Sequence, residues 1–338
     1  MNMERRDWLS RFLACTSVGL LPGLSACDSD SLGANKLTIA HAYQPSFGLL
    51  YVAEKAGFFK EEGIDVEFKR YGYGREALQA TLEGKADIAT PSDIAVALAI
   101  VKKEPVRVLS SLSVMLGNAQ VLGNKNRGIH TPADLKGRRI GFIPNTNGDY
   151  SLSLVLANAG IDEQQVTRLS LQNPDELAHS FIRGDVDAVA LWAPYTHAIA
   201  SEMGADVVIR FTSAIYVETA LLTTTENTLR TKKNAIKKLM SALIKAQNLT
   251  MQDPSRALQH VKNALPDTPP DVVASIWSSM QPQIHLENRL LECMTNEISW
   301  FQQKMHLEQV NAPDVRVNIA HEILRSIAPQ TVTIKERQ

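Results

Sequence analysis

Cysteine is scarce in this sequence of 338 residues, which contains only Cys15, Cys27 and Cys293. An apolar stretch at residues 12–21 follows a pair of arginines near the N-terminus, and small residues come next. We interpret residues 1–27 as a secretory leader, because a basic start, an apolar run and small residues occur in that order. If the leader is removed and Cys27 is modified, Cys293 is the only thiol left in the folded body. An intrachain disulfide is then excluded.

The end of the leader, Leu24-Ser25-Ala26-Cys27, resembles the bacterial lipobox. That resemblance implies a lipid on the thiol of Cys27 and cleavage that leaves this cysteine first. The alternatives are a signal anchor that stays attached and ordinary cleavage after Ala26. Asp28 resembles the retention signal of inner-membrane lipoproteins, and the Ser, Asp, Gly and Ala residues of 28–35 predict a flexible linker.

The export route stays open at this point. The run Arg5-Arg6-Asp7-Trp8-Leu9 resembles a twin-arginine signal, which would imply folding before export, but it lacks the usual serine before the arginines. The basic start of an ordinary secretory leader explains the same pair equally well.

Long hydrophobic runs and an excess of one charge are also missing. The leader's apolar stretch is too short to span a bilayer, and no second long run follows it. The 35 basic and 36 acidic residues nearly balance, which argues against a nucleic-acid partner or a polybasic membrane contact. These features predict a soluble globular body, of two domains from its length, that reaches the membrane through its lipid anchor only.

The common catalytic signatures are absent. The sequence contains no GxSxG elbow, no P-loop and no complete dinucleotide fingerprint, and its eight histidines show no paired metal-ligand spacing. Only His41 falls in a loop predicted to face a cleft, and nothing supplies a nucleophile beside it. We therefore expect no metal, no cofactor and no enzymatic activity.

Short apolar strands alternate with helices through the first two thirds of the chain. The predicted strands of a first unit are 36–40, 64–70, 86–89 and 106–112, and its predicted helices are 47–59, 74–83 and 92–101. A second unit has predicted strands at 139–143, 166–171, 188–191 and 206–210 and helices at 148–159, 175–183 and 194–203. After residue 225 the pattern predicts helices only, at 227–252, 254–264, 269–279, 287–303 and 316–327. This order favours mainly parallel sheets with helices on both faces.

Four loops follow predicted strands, at the sheet edge where open parallel sheets bind ligands. These loops are 41–47, 90–93, 144–149 and 192–195, and they carry aromatic, amide and hydroxyl side chains with Pro or Gly at the turns. Such a set suits a small polar or heteroaromatic ligand that is held without being transformed.

Four stretches of the chain carry a family resemblance: LTIAHAYQPSFGLLYVAEKAGFFKEEGIDVEF (37–68), GREALQATLEGKADIATPSDIAVALA (74–99), TPADLKGRRIGFIP (131–144) and FIRGDVDAVALWAPY (181–195). With them the chain resembles the periplasmic solute-binding proteins of the nitrate, sulfonate, taurine and thiamine-precursor importer family. The resemblance implies an α/β, type II periplasmic-binding fold of two lobes with a doubly crossed hinge and a helical tail. Lobe 1 would comprise 36–122 plus 223–338, and lobe 2 would comprise 123–222.

The resemblance also implies the function. The chain would be a monomeric receptor at the periplasmic face of the inner membrane that captures a small-molecule solute by hinge closure and delivers it to an ABC permease. A ligand-sensing lipoprotein that acts on a membrane kinase is one alternative. An enzyme is another, because a pyrimidine-synthesising relative of the fold uses its own histidine as a reagent, but no suitable cluster of His and iron ligands is present here.

Carried over by position, the resemblance implies nine ligand-binding residues: Tyr43, Gln44, Phe47, Ser92, Asp93, Asn145, Asn147, Asp149 and Trp192. Glu218, on the predicted return crossing between the lobes, is a tenth candidate that could reach the cleft. Asp149 departs from the oxyanion-binding pattern, because a carboxylate at a helix N-terminus would repel sulfonate or nitrate. This favours a neutral or cationic ligand such as a thiamine-precursor aminopyrimidine, stacked on Trp192 or Tyr43. An alkanesulfonate or nitrate-type anion is the alternative.

Structural explanations for the same residues stay open. Asp149 could be only the N-cap of the helix that follows it, and Ser92 and Asp93 could cap theirs. Trp192 could be a core residue behind its loop, and Glu218 could be a solvated strand residue.

Overall fold

A computed structural model of the chain describes residues 35–307 and 313–335. The predicted leader, the lipid attachment at Cys27 and the linker up to residue 34 lie outside the described residues, so they stay predictions. Within the described part, no helix combines the length and the apolar character needed to cross a bilayer.

The first lobe is built on a six-stranded sheet in the order β11-β4-β10-β3-β1-β2. Its strands are β1 (Lys36–Ala42), β2 (Asp65–Tyr71), β3 (Ile88–Ala89), β4 (Val106–Leu116), β10 (Val217–Thr225) and β11 (Met280–Pro282). The helices between its early strands are α1 (Gly48–Lys55), α2 (Phe58–Glu61), α3 (Gly74–Leu82) and α4 (Asp93–Val101). Strand β1 pairs in parallel with β2 and β3, whereas β10 runs antiparallel to β3 and β4.

The second lobe is built on a five-stranded sheet in the order β7-β6-β8-β5-β9. Its elements are β5 (Gln120–Asn124), β6 (Arg139–Phe142), α5 (Asn147–Asn158), β7 (Thr167–Ser170), α6 (Pro174–Arg183), β8 (Ala188–Leu191), α7 (Tyr195–Met203) and β9 (Val208–Phe211). Strand β6 pairs in parallel with β7 and β8, and β5 is antiparallel to β8 and β9.

Corresponding aspartates reveal a repeat between the lobes that the sequence did not show. In the first lobe, Asp87 accepts a hydrogen bond from the Thr38 N–H at 2.8 Å, just before β3. In the second lobe, Asp187 accepts one from the Arg139 N–H at 3.0 Å, just before β8. Both carboxylates tie the start of a central strand to the strand beside it. The local strand orders, β2-β1-β3 and β7-β6-β8, are also the same.

The chain crosses between the sheets twice, as predicted, but at other residues than predicted. Strand β5 (Gln120–Asn124) pairs wholly within the second sheet and β10 (Val217–Thr225) wholly within the first. The crossings are therefore near residues 117–119 and 212–216, which corrects the proposed boundaries at 122 and 222 by a few residues. Most of β10 is buried, so it lacks the polar–apolar alternation that would have revealed it.

The C-terminal part packs on the first lobe. It contains α8 (Glu226–Thr231), α9 (Lys233–Gln252), α10 (Pro254–Ala264), α11 (Pro270–Ser278), α12 (Asn288–Lys304) and α13 (His321–Ile327). The prediction that strands end at residue 225 is wrong, because β11 adds an antiparallel edge to β4. One core of buried apolar residues runs from β1 to α13, which accounts for the attachment of this helical tail.

Candidate functional site

A small cavity lies between the two lobes. Both lobes line it, and the lining residues are Gln44, Ser46, Phe47, Tyr73, Gly74, Arg75, Ser92, Ile94, Ala95, Asn145, Thr146, Asn147, Trp192, Glu218 and Ala220. The first-lobe residues stand at the carboxyl ends of β1, β2 and β3 and on β10, and the second-lobe residues follow β6 and β8. This is the sheet edge at which α/β folds bind ligands.

Arg75, in the first turn of α3, brings a cation to the cavity wall. Its Nη2 atom donates to the Tyr73 hydroxyl at 2.7 Å, and its guanidinium lies 5.5 Å from the centre of the Tyr73 ring. Its Nε atom is buried and meets no hydrogen-bond partner among the described residues. A buried donor on a cation without a partner can bind an anionic group.

Glu218, on β10, brings a carboxyl group to the same cavity and is 5% exposed. Its Oε2 atom accepts hydrogen bonds from Asn118 Nδ2 at 2.9 Å and Asn147 Nδ2 at 2.8 Å. Burial raises the pKa of Glu218, and the two amide donors oppose that rise. Its second oxygen, Oε1, accepts no hydrogen bond from the described residues and can bind a ligand donor.

Two helices of the first lobe begin at the cavity without a side-chain cap. Tyr73 precedes α3 and Ser92 precedes α4, and neither side chain accepts a hydrogen bond from its helix. The first N–H groups of a helix carry partial positive charge and bind anions. The Ile94 N–H of α4 is already bonded to the Asp93 carboxylate at 3.0 Å, so Arg75 and the start of α3 are the groups on this side of the cavity that suit an anion.

The second lobe contributes the turn before α5. Asn145 has a φ of 60°, in the left-handed region that asparagine tolerates better than most residues. Thr146 is the N-cap of α5 and accepts from the Asp149 N–H at 3.4 Å. Asn147 spans the lobes through its bond to Glu218. This turn therefore places two amide side chains at the cavity.

An aromatic contact between the lobes forms another part of the wall. The ring centroids of Tyr73 in the first lobe and Trp192 in the second are 6.1 Å apart, and Tyr195 packs on Trp192 at the same separation. Trp192 is 3% exposed and lines the cavity. It therefore combines the two roles considered for it, a packed residue and a cavity wall.

The family model described as NMT1/THI5 like matches residues 44–257, more than half of the chain. The chain belongs to this family. The resemblance inferred from the four sequence stretches is thus confirmed.

Individual relatives are similar to this chain over part of their length. A taurine-binding periplasmic protein of Escherichia coli is 33% identical over 169 residues, 49% of this chain and 51% of that protein. A formylaminopyrimidine-binding protein of Halalkalibacterium halodurans is 31% identical over 141 residues, 41% of this chain and 42% of that protein. The matches thus span about half or less of these two relatives.

Solved structures extend the likeness to the whole fold. The alkanesulfonate-binding protein SsuA from Xanthomonas axonopodis pv. citri, bound to MOPS, superposes with a TM-score of 0.70 and 19% identity, covering 84% of this chain and 98% of that one. At this identity the likeness concerns the fold alone. The predicted two-lobed periplasmic-binding fold is confirmed.

Seven of the ten predicted ligand-binding residues line the cavity: Gln44, Phe47, Ser92, Asn145, Asn147, Trp192 and Glu218. The other three do not, and each has a structural role. Tyr43 faces a different surface pocket, where the guanidinium of Arg70 lies 4.9 Å from its ring centre.

Asp149 is the main correction to the predicted site. It is fully buried and does not line the cavity. It accepts the Asn145 N–H at 2.7 Å and forms ion pairs with Arg168 and Lys304. It is not the N-cap of α5 either, since Thr146 holds that position. Two cations offset its charge, so it gives no reason for the cavity to repel an anion.

Asp93 is also fully buried, beneath the cavity wall, and its carboxylate accepts the Thr219 N–H at 2.8 Å. His41 lies away from the cavity as well, bonded to Thr90 Oγ1 at 3.1 Å and to the Tyr51 hydroxyl at 2.8 Å. Burial lowers the pKa of His41 to about 3, so its ring is neutral and structural.

Sequence reasoning missed Tyr73 and Arg75. Both residues lie just after β2. The rule that ligand-binding loops follow the strands of an open parallel sheet would therefore have selected this loop as well. Within the described residues, no group of three or more His, Cys, Asp or Glu side chains could hold a metal ion.

Proposed function

We propose that this protein is the solute-binding component of an ABC importer, a monomer that captures a small molecule between its lobes outside the cytoplasm. The single observation that carries the proposal is the cavity between the lobes with Arg75 and Glu218 in its wall. The family membership supports it, and so does the named activity of the taurine-binding relative. A lipid on Cys27 would anchor the receptor at the periplasmic face of the inner membrane, close to its permease.

Hinge closure is the mechanism that the geometry supports. A solute in the cavity contacts first-lobe residues such as Arg75 and second-lobe residues such as Asn145 at the same time. Contacts with both lobes exist only when the lobes are together, so binding shifts the population toward the closed form. The permease would then recognise the closed receptor.

The charges of the cavity favour a solute that carries both an anionic and an ammonium group. Arg75 and the uncapped start of α3 suit a sulfonate or carboxylate. The free oxygen of Glu218 suits an ammonium group. We therefore propose an aminoalkanesulfonate or a similar small zwitterion as the ligand, in place of the pyrimidine that Asp149 had suggested.

An aminopyrimidine of the thiamine pathway remains the second candidate. Trp192 and Tyr73 offer aromatic surfaces for a ring, and Glu218 could accept protons from its amino group. The formylaminopyrimidine-binding relative favours this candidate too.

Isothermal calorimetry on the purified chain from residue 28 tests the proposal. Taurine, ethanesulfonate, ethylamine and an aminomethylpyrimidine are titrated separately. We expect taurine to bind more tightly than either ethanesulfonate or ethylamine, because each of these lacks one of its charges. If only the pyrimidine binds, the second candidate replaces the first, and if ethanesulfonate binds as well as taurine, the ammonium site at Glu218 is wrong.

A further inference from the structure

Two buried carboxyl groups meet beneath the wall of the cavity. Asp93 is the first residue of α4, and Glu297 lies in α12 of the helical tail. Both side chains are fully buried. Their contact therefore lies where the tail packs on the first lobe, within a few residues of the ligand cavity.

The contacts of Asp93 connect it to the cavity wall. Its Oδ1 atom accepts the Ile94 N–H at 3.0 Å and the Tyr216 hydroxyl at 3.4 Å, and its Oδ2 atom accepts the Thr219 N–H at 2.8 Å. Thr219 stands between Glu218 and Ala220, both of which line the cavity. The Asp93 carboxylate thus fixes the strand that presents Glu218.

Glu297 differs from Asp93 because its carboxyl oxygens lack hydrogen-bond donors among the described residues. No described donor reaches either of its oxygens, although both are buried. Helix α12, which carries Glu297, packs against α4, which begins at Asp93, and the Asp93 carboxyl is the charged neighbour with the largest effect on Glu297, so the two carboxyl groups are in contact. Two ionised carboxylates have no donor hydrogen between them, so this contact is a hydrogen bond only when one group is protonated.

The surroundings favour a proton at this contact. The titratable groups that interact with the Asp93 carboxyl include Glu218 from β10, Tyr216 from the second crossing, Tyr150 from α5, and Cys293 and Glu297 from α12. These are acidic groups. Burial and the neighbouring carboxylates raise the pKa of both Asp93 and Glu297. Two adjacent buried negative charges would be strongly destabilising.

We propose that Glu297 carries a proton at neutral pH and donates it to Asp93, and that this carboxyl–carboxylate pair positions β10 and the cavity carboxyl of Glu218. Asp93 is the ionised member, because it already accepts three hydrogen bonds, whereas Glu297 accepts none. Both are positioning residues, since neither lines the cavity. The expected effect of the pair on solute binding rests on the proposed function. The claim that the two groups share a proton does not depend on it.

The shared proton makes stability depend on pH in a defined direction. In the unfolded chain both groups titrate near pH 4, so the folded protein holds one more proton than the unfolded chain above that pH. The contribution of the shared proton to stability is fully present at pH values below the pKa of these groups in the unfolded chain. It is lost as the pH rises through the pKa of the pair in the folded protein. The unfolding equilibrium constant should increase by about tenfold per pH unit in this range.

Three variants test the proposal without any ligand: Glu297→Gln, Glu297→Ala and the control Glu292→Gln, which changes an exposed residue on the same helix. Urea unfolding is followed from about pH 5.5 to about pH 8.5. The Gln variant keeps an amide donor toward Asp93 but has no proton to lose. The rise of its unfolding equilibrium constant with pH should therefore be weaker than that of wild type by about a factor of ten per pH unit. The control should follow wild type. The proposal fails if Glu297→Gln keeps the wild-type dependence.

An infrared difference spectrum gives a second, direct measurement. Wild type minus Glu297→Gln should show the carbonyl band of a protonated carboxyl group at neutral pH, and its absence would overturn the proposal.

Affinity for taurine tests the positioning role. We expect Glu297→Gln to bind within about twofold of wild type and Glu297→Ala to bind about tenfold more weakly, as the loss of one hydrogen bond to a charged group implies. Equal binding by the Ala variant would refute positioning. If wild type itself binds no taurine, the proposed ligand is wrong, and the urea and infrared measurements still decide whether the proton is shared.

Discussion

Lys304, in the helix that packs on the first lobe, forms an ion pair with Asp149 of the second lobe. Arg168 holds the other oxygen of the same carboxylate, and its guanidinium lies 4.2 Å from the centre of the Phe142 ring. A cation from each lobe therefore offsets the charge of Asp149. The residue that dominated the sequence argument about ligand charge holds the lobes together instead.

Replacement of Asp149 by Asn should lower the free energy of unfolding without changing which ligand charge is preferred. The variant leaves two cations facing a neutral amide, and the loss should be on the order of 2 kcal/mol, because Arg168 and Lys304 keep partial exposure that weakens the pairs. Urea unfolding measures the loss, with the exposed Asp206→Asn as control. A change in the taurine-to-ethylamine affinity ratio would show instead that Asp149 acts on the ligand.

Replacement of Arg75 by Gln should weaken the binding of anionic solutes by about tenfold to about a hundredfold, the usual range for a lost charged hydrogen bond. The melting temperature should fall only slightly, because the hydrogen bond to the Tyr73 hydroxyl is lost while the Nε atom has no partner among the described residues to lose. Calorimetry with taurine measures the effect. The control is Arg230→Gln, on the exposed face of α8, and equal effects of the two substitutions would argue against an anion site at Arg75.

Binding of an ammonium-bearing solute should weaken as the pH falls, and earlier than for an ordinary glutamate. Burial raises the pKa of Glu218, and only its ionised form attracts the ammonium group, so affinity is present above the raised pKa and lost below it. Calorimetry with taurine, from neutral pH down to the pH at which Glu218 is protonated, measures the loss of affinity. Glu218→Gln should bind more weakly at neutral pH and show little dependence on pH, and a variant that retains the full wild-type dependence would contradict this role.

Addition of a methyl group at Gly148 or Gly74 should destabilise the protein and weaken solute binding. A Cβ atom at Gly148 would lie 2.8 Å from the Ala190 carbonyl oxygen, and one at Gly74 would lie 2.9 Å from the Thr90 carbonyl oxygen. Both contacts are with backbone atoms, so helices α5 and α3 would have to move away from the strand ends that they face. We expect losses of about 1–3 kcal/mol in urea unfolding.

Gly72→Ala is the matched control for these glycine variants. The atom nearest to its Cβ is Glu76 Oε2 at 2.9 Å, the end of a flexible side chain that can move aside. If Gly72→Ala destabilised the protein as much as Gly148→Ala does, close packing against the strand would not be the cause.

The alternation of elements was readable from the sequence because it depends on local periodicity. The helix predicted at 175–183 is present and ends at Gly184, which has a φ of 82°, and loops that follow the parallel strands do face the cavity. Periodicity did not predict elements that are buried on both faces, because such elements show no alternation of polar and apolar residues. Strand β10 is buried along most of its length, and the predicted helix 227–252 is two helices, α8 and α9.

The sequence by itself determined the α/β pattern, the family and most of the polar residues at the strand ends, because these depend on neighbours along the chain. The tertiary structure alone decided which charges reach the solute. Lys304 lies 155 residues from Asp149 in the chain and offsets its charge, whereas Arg75 keeps a buried donor free at the cavity. Ion pairing and burial depend on distances that only the folded chain sets.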